Sequence, residues 1–421
     1  VQIAMQVQLR SRFVQGPFVE ASLIVVLCGL FVFLLPTSYN GDESPILQNA
    51  IYSIAFALVL LLLLLDKARF EGKRLLMAAA LFLYLLIASI FVVGSGVGRF
   101  SLARLVPIVL TALLFSLCFK KRCIGAKFAT NVLDLILIVI IVWNVTAMAH
   151  IAPFEQFVRS FYTQLDDYTA TTYSLLIGKP VFTFGVHNFA AAFYAILFLL
   201  CAQVYFVLNR KRMLLYAVAL LFFTLLLKSA ASYASLGLMV TLFILSYYHY
   251  RETKIPLFIP ILIACALGTI FLVAFPQVVE RLFFSTTNGF GSRYLASGLY
   301  SENYRIVESF PMGTGYSIVD GLWYADSGFI VYLTMGGVLC FALLVPLFWG
   351  YCKDNIPDPF IRCAFVAVIF VCELSFPSFI YWKMMFCYVF FALISAAISC
   401  SSELSNAEKI GALKCDLGAN G

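Results

Sequence analysis

Charge is what this chain most lacks. Acidic and basic residues make up 12% of its 421 residues and histidine occurs three times, against roughly 25% charged residues in a soluble globular chain. That excludes an ordinary solvated globule. It also strips the net charge of +7 of any bearing on nucleic acid, because the excess follows the loop bias described below. No Cys-x-x-Cys pair and no cysteine–histidine cluster occurs, so neither a zinc site nor a disulfide framework is expected. Most of the 12 cysteines fall in apolar runs or at their ends, where a small apolar filler suffices. There is no phosphate-cradling Walker loop, no dinucleotide fingerprint and no His-Glu-x-x-His. No cofactor and no metal is therefore expected, and any group transfer must start from an already activated donor. The first apolar run, Phe18 to Leu35, lacks a small-residue cleavage site and is expected to be a retained helix.

What is there is hydrocarbon-loving sequence: 63% hydrophobic residues and a mean hydropathy of +0.98. It predicts an all-α, polytopic membrane helical bundle in a lipid bilayer. About 12 transmembrane helices are expected, near 18–35, 46–65, 75–93, 102–119, 128–149, 187–208, 213–228, 232–249, 256–274, 327–349, 359–376 and 380–399. The weakest division is Lys228-Ser-Ala-Ala-Ser-Tyr, expected as a turn between two short runs. Lysines and arginines cluster in alternate loops, among them Lys67 to Arg74, Lys120 to Lys127 and Arg210 to Arg212. The opposite loops hold about half as many, which predicts cytoplasmic N- and C-termini. The whole chain, 1–421, reads as a single integral membrane domain. Two larger loops, about 150–186 and 275–326, are expected outside, with a short polar cytoplasmic tail at 401–421. No repeat links the two halves.

The second large loop is where polar sequence gathers. Arg293 to Phe310 predicts one amphipathic interfacial helix. Leu295, Leu299, Ile306 and Phe310 form an apolar stripe, with Arg293, Ser297, Ser301 and Arg305 opposite. The two arginines are then ~18 Å apart and cannot grip one phosphate together. Pro311 and Gly313-Thr-Gly315 end the helix.

Arginine is depleted on an outer face, so each one there needs a reason. Arg99, Arg104, Arg159, Arg281, Arg293 and Arg305 are candidates for holding a pyrophosphate, since guanidinium binds phosphate bidentately and stays charged. The plainer reading is snorkelling, or pairing with loop carboxylates such as Arg305 with Glu302 or Glu308. Asp326, where the loop becomes a helix, reads as an N-cap or a general base. His187 and Asn188 open the helix after the first large loop and read as a polar cap pair or as part of the site. Glu373 lies near the outer end of an apolar span and could join the site. Asp134 lies near the other end and reads as structural. Asp166 and Asp167 read as a solvated loop face.

Three stretches resemble the O-antigen polymerase and ligase superfamily. Gly185-Val-His-Asn-Phe-Ala-Ala resembles its G-x-x-N-x-x-A loop. Gly291-Ser-Arg293, followed by Pro311-Met-Gly313-Thr-Gly315, is the second. Asp326 to Gly337, D-S-G-F-I-V-Y-L-T-M-G-G, resembles its D/H-N-x-x-L-x-x-L-x-x-x-G helix. The resemblance implies a GT-C-like bundle in the bacterial inner membrane and a metal-independent, inverting glycosyltransferase. Its donor and acceptor would be glycans on undecaprenyl pyrophosphate, and its partner a chain-length regulator protein. Ligases typically carry His at the third stretch, so Asp326 points to the polymerase. The resemblance implies catalysis by Arg293, Asp326 and Glu373, with Arg281, Arg305, Arg159, Arg99, Arg104, His187 and Asn188 binding pyrophosphate or glycan. The alternatives are an O-antigen ligase acting on lipid A core, a protein O-oligosaccharyltransferase, and a lipid-linked oligosaccharide flippase. A flippase should show broken helices.

Overall fold

The computed structural model describes residues 18–35, 46–119, 124–165, 178–251, 290–295, 297–319 and 326–418, with single positions scattered between 256 and 280. Side chains are described as far as Ser401. Arg281, the Asp166–Asp167 pair and nearly all of the expected span 256–274 lie outside the described residues.

Helices occupy the other eleven expected spans. In chain order they are α1 (Phe18–Gly29, continued by a wider turn over Leu30–Leu34), α2 (Ile46–Leu65), α3 (Gly72–Gly94), α4 (Leu102–Phe115) and α5 (Ala126–Met148). After the short α6 (Ala152–Leu165) come α7 (His187–Leu208), α8 (Arg212–Leu226) and α9 (Ala230–Tyr250). Two short helices, α10 (Phe290–Tyr294) and α11 (Ser301–Ser309), precede α12 (Gly328–Asn355), α13 (Pro359–Cys372) and α14 (Trp382–Gly418). Six of these, α3, α5, α7, α9, α12 and the first part of α14, are long and apolar enough to cross a membrane. The chain is a multi-pass membrane protein. Side chains such as Leu76, Ile90, Leu135, Leu215 and Val338 are exposed on its outside, where lipid replaces water.

Most spans bury one stripe. By contrast, α7 and the apolar part of α14 are 83% buried. Lipid would accept an apolar face equally well, so packing rather than polarity puts these helices inside. Accordingly α7 packs against α8, α9, α13 and α14 as the central post. Its Ala190-Ala191-Ala192 and Ala195 are fully buried, and small residues let neighbouring backbones approach. Gln203 on α7 donates to Ser395 O and Ser399 Oγ of α14, each at 3.2 Å, which satisfies its amide nitrogen inside the bundle.

Two small ribbons define the bundle's ends. At one end β1 (Arg69–Phe70) pairs antiparallel with β3 (Leu117–Cys118). At the other β2 (Gly98–Phe100) pairs with β4 (Ser317–Val319). The β1–β3 end collects basic residues and ion pairs. Buried Arg74 donates to Phe115 O at 2.8 Å and to Asp354 at 2.6 Å, and Arg212 pairs with Asp134. Asp134 is thus a structural ion-pair partner. The expected turn before α9 is present: Lys228 has φ +52° and Ser229 caps α9 reciprocally with Ser232.

Four expectations need correction. First, the Arg293–Phe310 helix is not continuous; it ends at Tyr294 and restarts at Ser301. Second, the outer loops enter the bundle. Phe182, Thr183 and Phe184 are buried, tied by Thr183 Oγ1 to Phe33 O at 2.9 Å and by Asn144 Oδ1 to Phe182 N at 3.1 Å. Lys383 is fully buried beside them and donates to Thr183 O at 2.9 Å. Third, the tail is no irregular segment: α14 runs unbroken to Gly418. Its Glu, Ala, Lys and Leu content favours helix. Fourth, Cys400 is disulfide-bonded.

The segment 311–319 forms a second inserted loop, and α12 is broken to receive it. Gly336 (φ −154°, ψ 21°) and Gly337 (φ 57°, ψ −156°) interrupt the helix. The carbonyls freed there are taken by the loop: Thr314 N donates to Thr334 O at 2.8 Å and Gly315 N to Met335 O at 2.7 Å. Non-helical backbone at this depth persists only when so paired. Gly315 has φ +59°, and a Cβ there would lie 2.1 Å from Leu85 O. No other residue fits. The loop then runs into β4.

Candidate active site

The site is made by a reversal of the chain at residues 295–300. Leu299 N donates to Ser292 O at 2.7 Å and Tyr300 N to Arg293 O at 3.2 Å. Gly298 makes the reversal feasible, since a Cβ there would meet Ser292 O at 2.7 Å and Arg293 O at 2.9 Å. The fold-back sets Tyr300 beside Arg293. A straight helix would have kept them on one face but two turns, roughly 10 Å, apart.

Asp326 joins them from the start of α12. Arg293 Nη1 lies 2.5 Å from Asp326 Oδ2. Tyr300 donates its hydroxyl to Asp326 Oδ1 and receives Arg293 Nη1 at 3.4 Å. Tyr300 is fully buried, whereas the Arg293 and Asp326 side chains keep 22% and 24% of their surface exposed. The cluster is therefore walled on the protein side and open on the other. Burial works against the Arg293 charge, but the Asp326 carboxylate and Tyr300 outweigh it and raise its pKa above the ordinary value. Burial first, then Asp326, pushes the Tyr300 phenol up. At neutral pH Arg293 is a cation and Tyr300 a proton donor.

The segment 373–378 between α13 and α14 holds the cluster from behind. Glu373 O accepts Gly328 N at 2.8 Å and Ser327 Oγ at 3.1 Å, and Leu374 O accepts the Tyr294 hydroxyl at 2.6 Å. The α12 N-cap is Ser327, so the Asp326 carboxylate is not spent on capping and points to Arg293 instead. The Glu373 side chain is 1% exposed. Its Oε1 accepts from Ser378 N at 3.1 Å and from Tyr332 OH at 3.2 Å, while Oε2 is buried with no partner. Glu373 supports the start of α12 from within the core and does not line the open face.

His187 is half-buried at the start of α7, within electrostatic range of Lys179, Arg293 and Asp326. Asn188 follows it, also half-buried. The other arginines are elsewhere. Arg305 is 71% exposed and pairs with Glu302 at 2.8 Å, one turn away. Arg104 donates to Ser317 O at 2.8 Å and fastens β4. Arg99 is exposed on β2, opposite Ile318. Arg159 is exposed on α6, which packs on α5.

Tyr300 and Lys179 were not legible as site residues. Tyr300 is one of 22 tyrosines. Its only local signal is Gly298 two residues earlier, inside what reads as a helix. Chemically, the cluster offers a fixed cation, a carboxylate and a phenol donor on one open face: a place to bind an anion and move a proton. Compared with protein-family models, curated proteins and solved structures, the chain matches none.

Proposed function

We propose that the chain is an inverting glycosyltransferase that joins undecaprenyl-pyrophosphate-linked oligosaccharide repeat units into O-antigen or a related surface polysaccharide. The observation that carries this reading is the convergence of Arg293, Tyr300 and Asp326 at one end of an apolar bundle. In this reading the β1–β3 end, rich in lysine and arginine, faces the cytoplasm. The cluster then faces the periplasm of the inner membrane. A lipid-linked donor would reach it with its pyrophosphate at headgroup level and its prenyl chain in the bilayer.

The chemistry follows from the groups. The acceptor hydroxyl oxygen attacks the anomeric carbon from the side opposite the pyrophosphate. The new glycosidic bond forms as the carbon–oxygen bond to pyrophosphate breaks, with inversion. Undecaprenyl pyrophosphate leaves with the electron pair, and Arg293 meets the charge that grows on it. Asp326 receives the acceptor's proton. His187, within electrostatic range of Arg293 and Asp326, and Asn188 next to it in the chain would orient the glycans. A chain-length regulator protein would act on the polymer.

One observation favours a second reading. The break at Gly336–Gly337 is the kind of discontinuous helix found in transporters, so a lipid-linked oligosaccharide flippase is the alternative. Purified protein given a lipid-pyrophosphate-linked repeat unit separates the readings. A ladder of products is expected for the polymerase. Transfer only when core lipid is added means a ligase. Movement of lipid-linked glycan across a vesicle membrane with no new linkage means a flippase.

A further inference from the structure

The carboxylate proposed to take a proton is already engaged. Asp326 Oδ2 lies against Arg293 Nη1 at 2.5 Å and Oδ1 accepts from Tyr300. Both carboxylate oxygens are therefore occupied by donors of the protein itself. The same ion pair also occupies Arg293 Nη1, one of the donors that a phosphate would use. Two features show that the pair can open without disturbing the fold. Both side chains keep about a quarter of their surface exposed. The backbone beneath Asp326 is fixed independently, by Ser327 Oγ and Gly328 N on Glu373 O.

We infer that Asp326 is the resident counter-ion of a pyrophosphate site, displaced from Arg293 when the donor's pyrophosphate arrives and thereby freed to accept the acceptor's proton. The inference rests on the glycosyltransferase reading for the proton step, but its anion-binding half stands by itself. A pyrophosphate carries more charge than a carboxylate and offers oxygens to both arms of the guanidinium fork. Lys179 acts electrostatically on His187, which also feels Arg293 and Asp326, and a cation on this side attracts an incoming anion more than a neutral ion pair. Tyr300 keeps its hydrogen bond to the released carboxylate, so Asp326 stays within the site. Binding of the leaving group and unmasking of the base become one event, and without a donor the base stays masked.

The test is a binding titration of full-length protein in detergent, with inorganic pyrophosphate in one arm and a polyprenyl pyrophosphate in the other. Asp326→Asn removes the competing charge, so its Kd should fall about tenfold, the value of one charge-assisted hydrogen bond, while turnover drops. Arg293→Ala should abolish binding. Asp326→Ser is the second neutral variant, and Tyr300→Phe the third, which loosens the carboxylate without removing its charge and should bind at least as tightly as wild type. A gain in both arms assigns recognition to the anion alone, and a gain only in the prenyl arm assigns it to the lipid-linked form. Equal or weaker binding in folded Asp326→Asn and Asp326→Ser, or weaker binding in folded Tyr300→Phe, overturns the inference. Tighter binding without any glycosidic product keeps the anion site and sinks the glycosyltransferase reading. Unchanged binding with product intact does the reverse.

Discussion

Gly298→Ala should be far more damaging than one methyl group suggests. The added Cβ would sit 2.7 Å from Ser292 O and 2.9 Å from Arg293 O, inside any ordinary contact. Both atoms are backbone, so no flexible side chain can yield. The reversal must open, and with it the bonds Leu299 N to Ser292 O and Tyr300 N to Arg293 O. Each is worth about 0.5–1.5 kcal/mol, so the local cost is roughly 1–3 kcal/mol. The Tyr300 hydroxyl moves away from Asp326, and turnover should fall by about tenfold or more. Gly237→Ala is the control. Gly237 lies in α9 with nothing within 4 Å of where the new methyl would sit, and the same change there should stabilise by roughly 0.5–1 kcal/mol. A thiol-reactive dye reads unfolding directly, because Cys28, Cys201, Cys340, Cys352, Cys372 and Cys387 are free and buried. Opposite shifts for the two variants are expected. A Gly298→Ala protein with wild-type unfolding and turnover would refute the account of how the site is built.

Gly315→Ala should lose at least about 2 kcal/mol, from a strained φ and a blocked approach to Leu85 O, read by the same dye. Arg305→Ala should change stability by no more than about 0.5 kcal/mol, since its pair with Glu302 is exposed, and should leave turnover intact in a glycan-transfer assay. Glu373→Gln keeps an acceptor for Ser378 and Tyr332 and should cost less than about tenfold in turnover. A hundredfold loss would instead mark Glu373 as a proton-transfer group.

The helices were readable because hydropathy is a sum over ~20 residues and tolerates local error. Asp326 and Arg293 were readable because charge at the edge of an apolar span demands a partner. The remainder depended on where the chain turns back. A continuous helix would have left Arg293 ~18 Å from Arg305, whereas the fold-back at Gly298 brings Tyr300 against it. Glu373 reads as a site carboxylate from its depth alone, and only the fold shows that it faces inward. The inserted loops at 182–184 and 311–319 read as outer loops because their buried polar groups are paired by distant residues, Asn144 and Thr334 among them. No local pattern records such partners.

The most direct measurement follows single-turnover release of undecaprenyl pyrophosphate alongside glycan linkage, in wild type, Arg293→Ala and Arg305→Ala. The account predicts one pyrophosphate carrier released per linkage in wild type and in Arg305→Ala, and neither product in Arg293→Ala. Linkage formation that survives in folded Arg293→Ala, or that fails equally in Arg305→Ala, would contradict it.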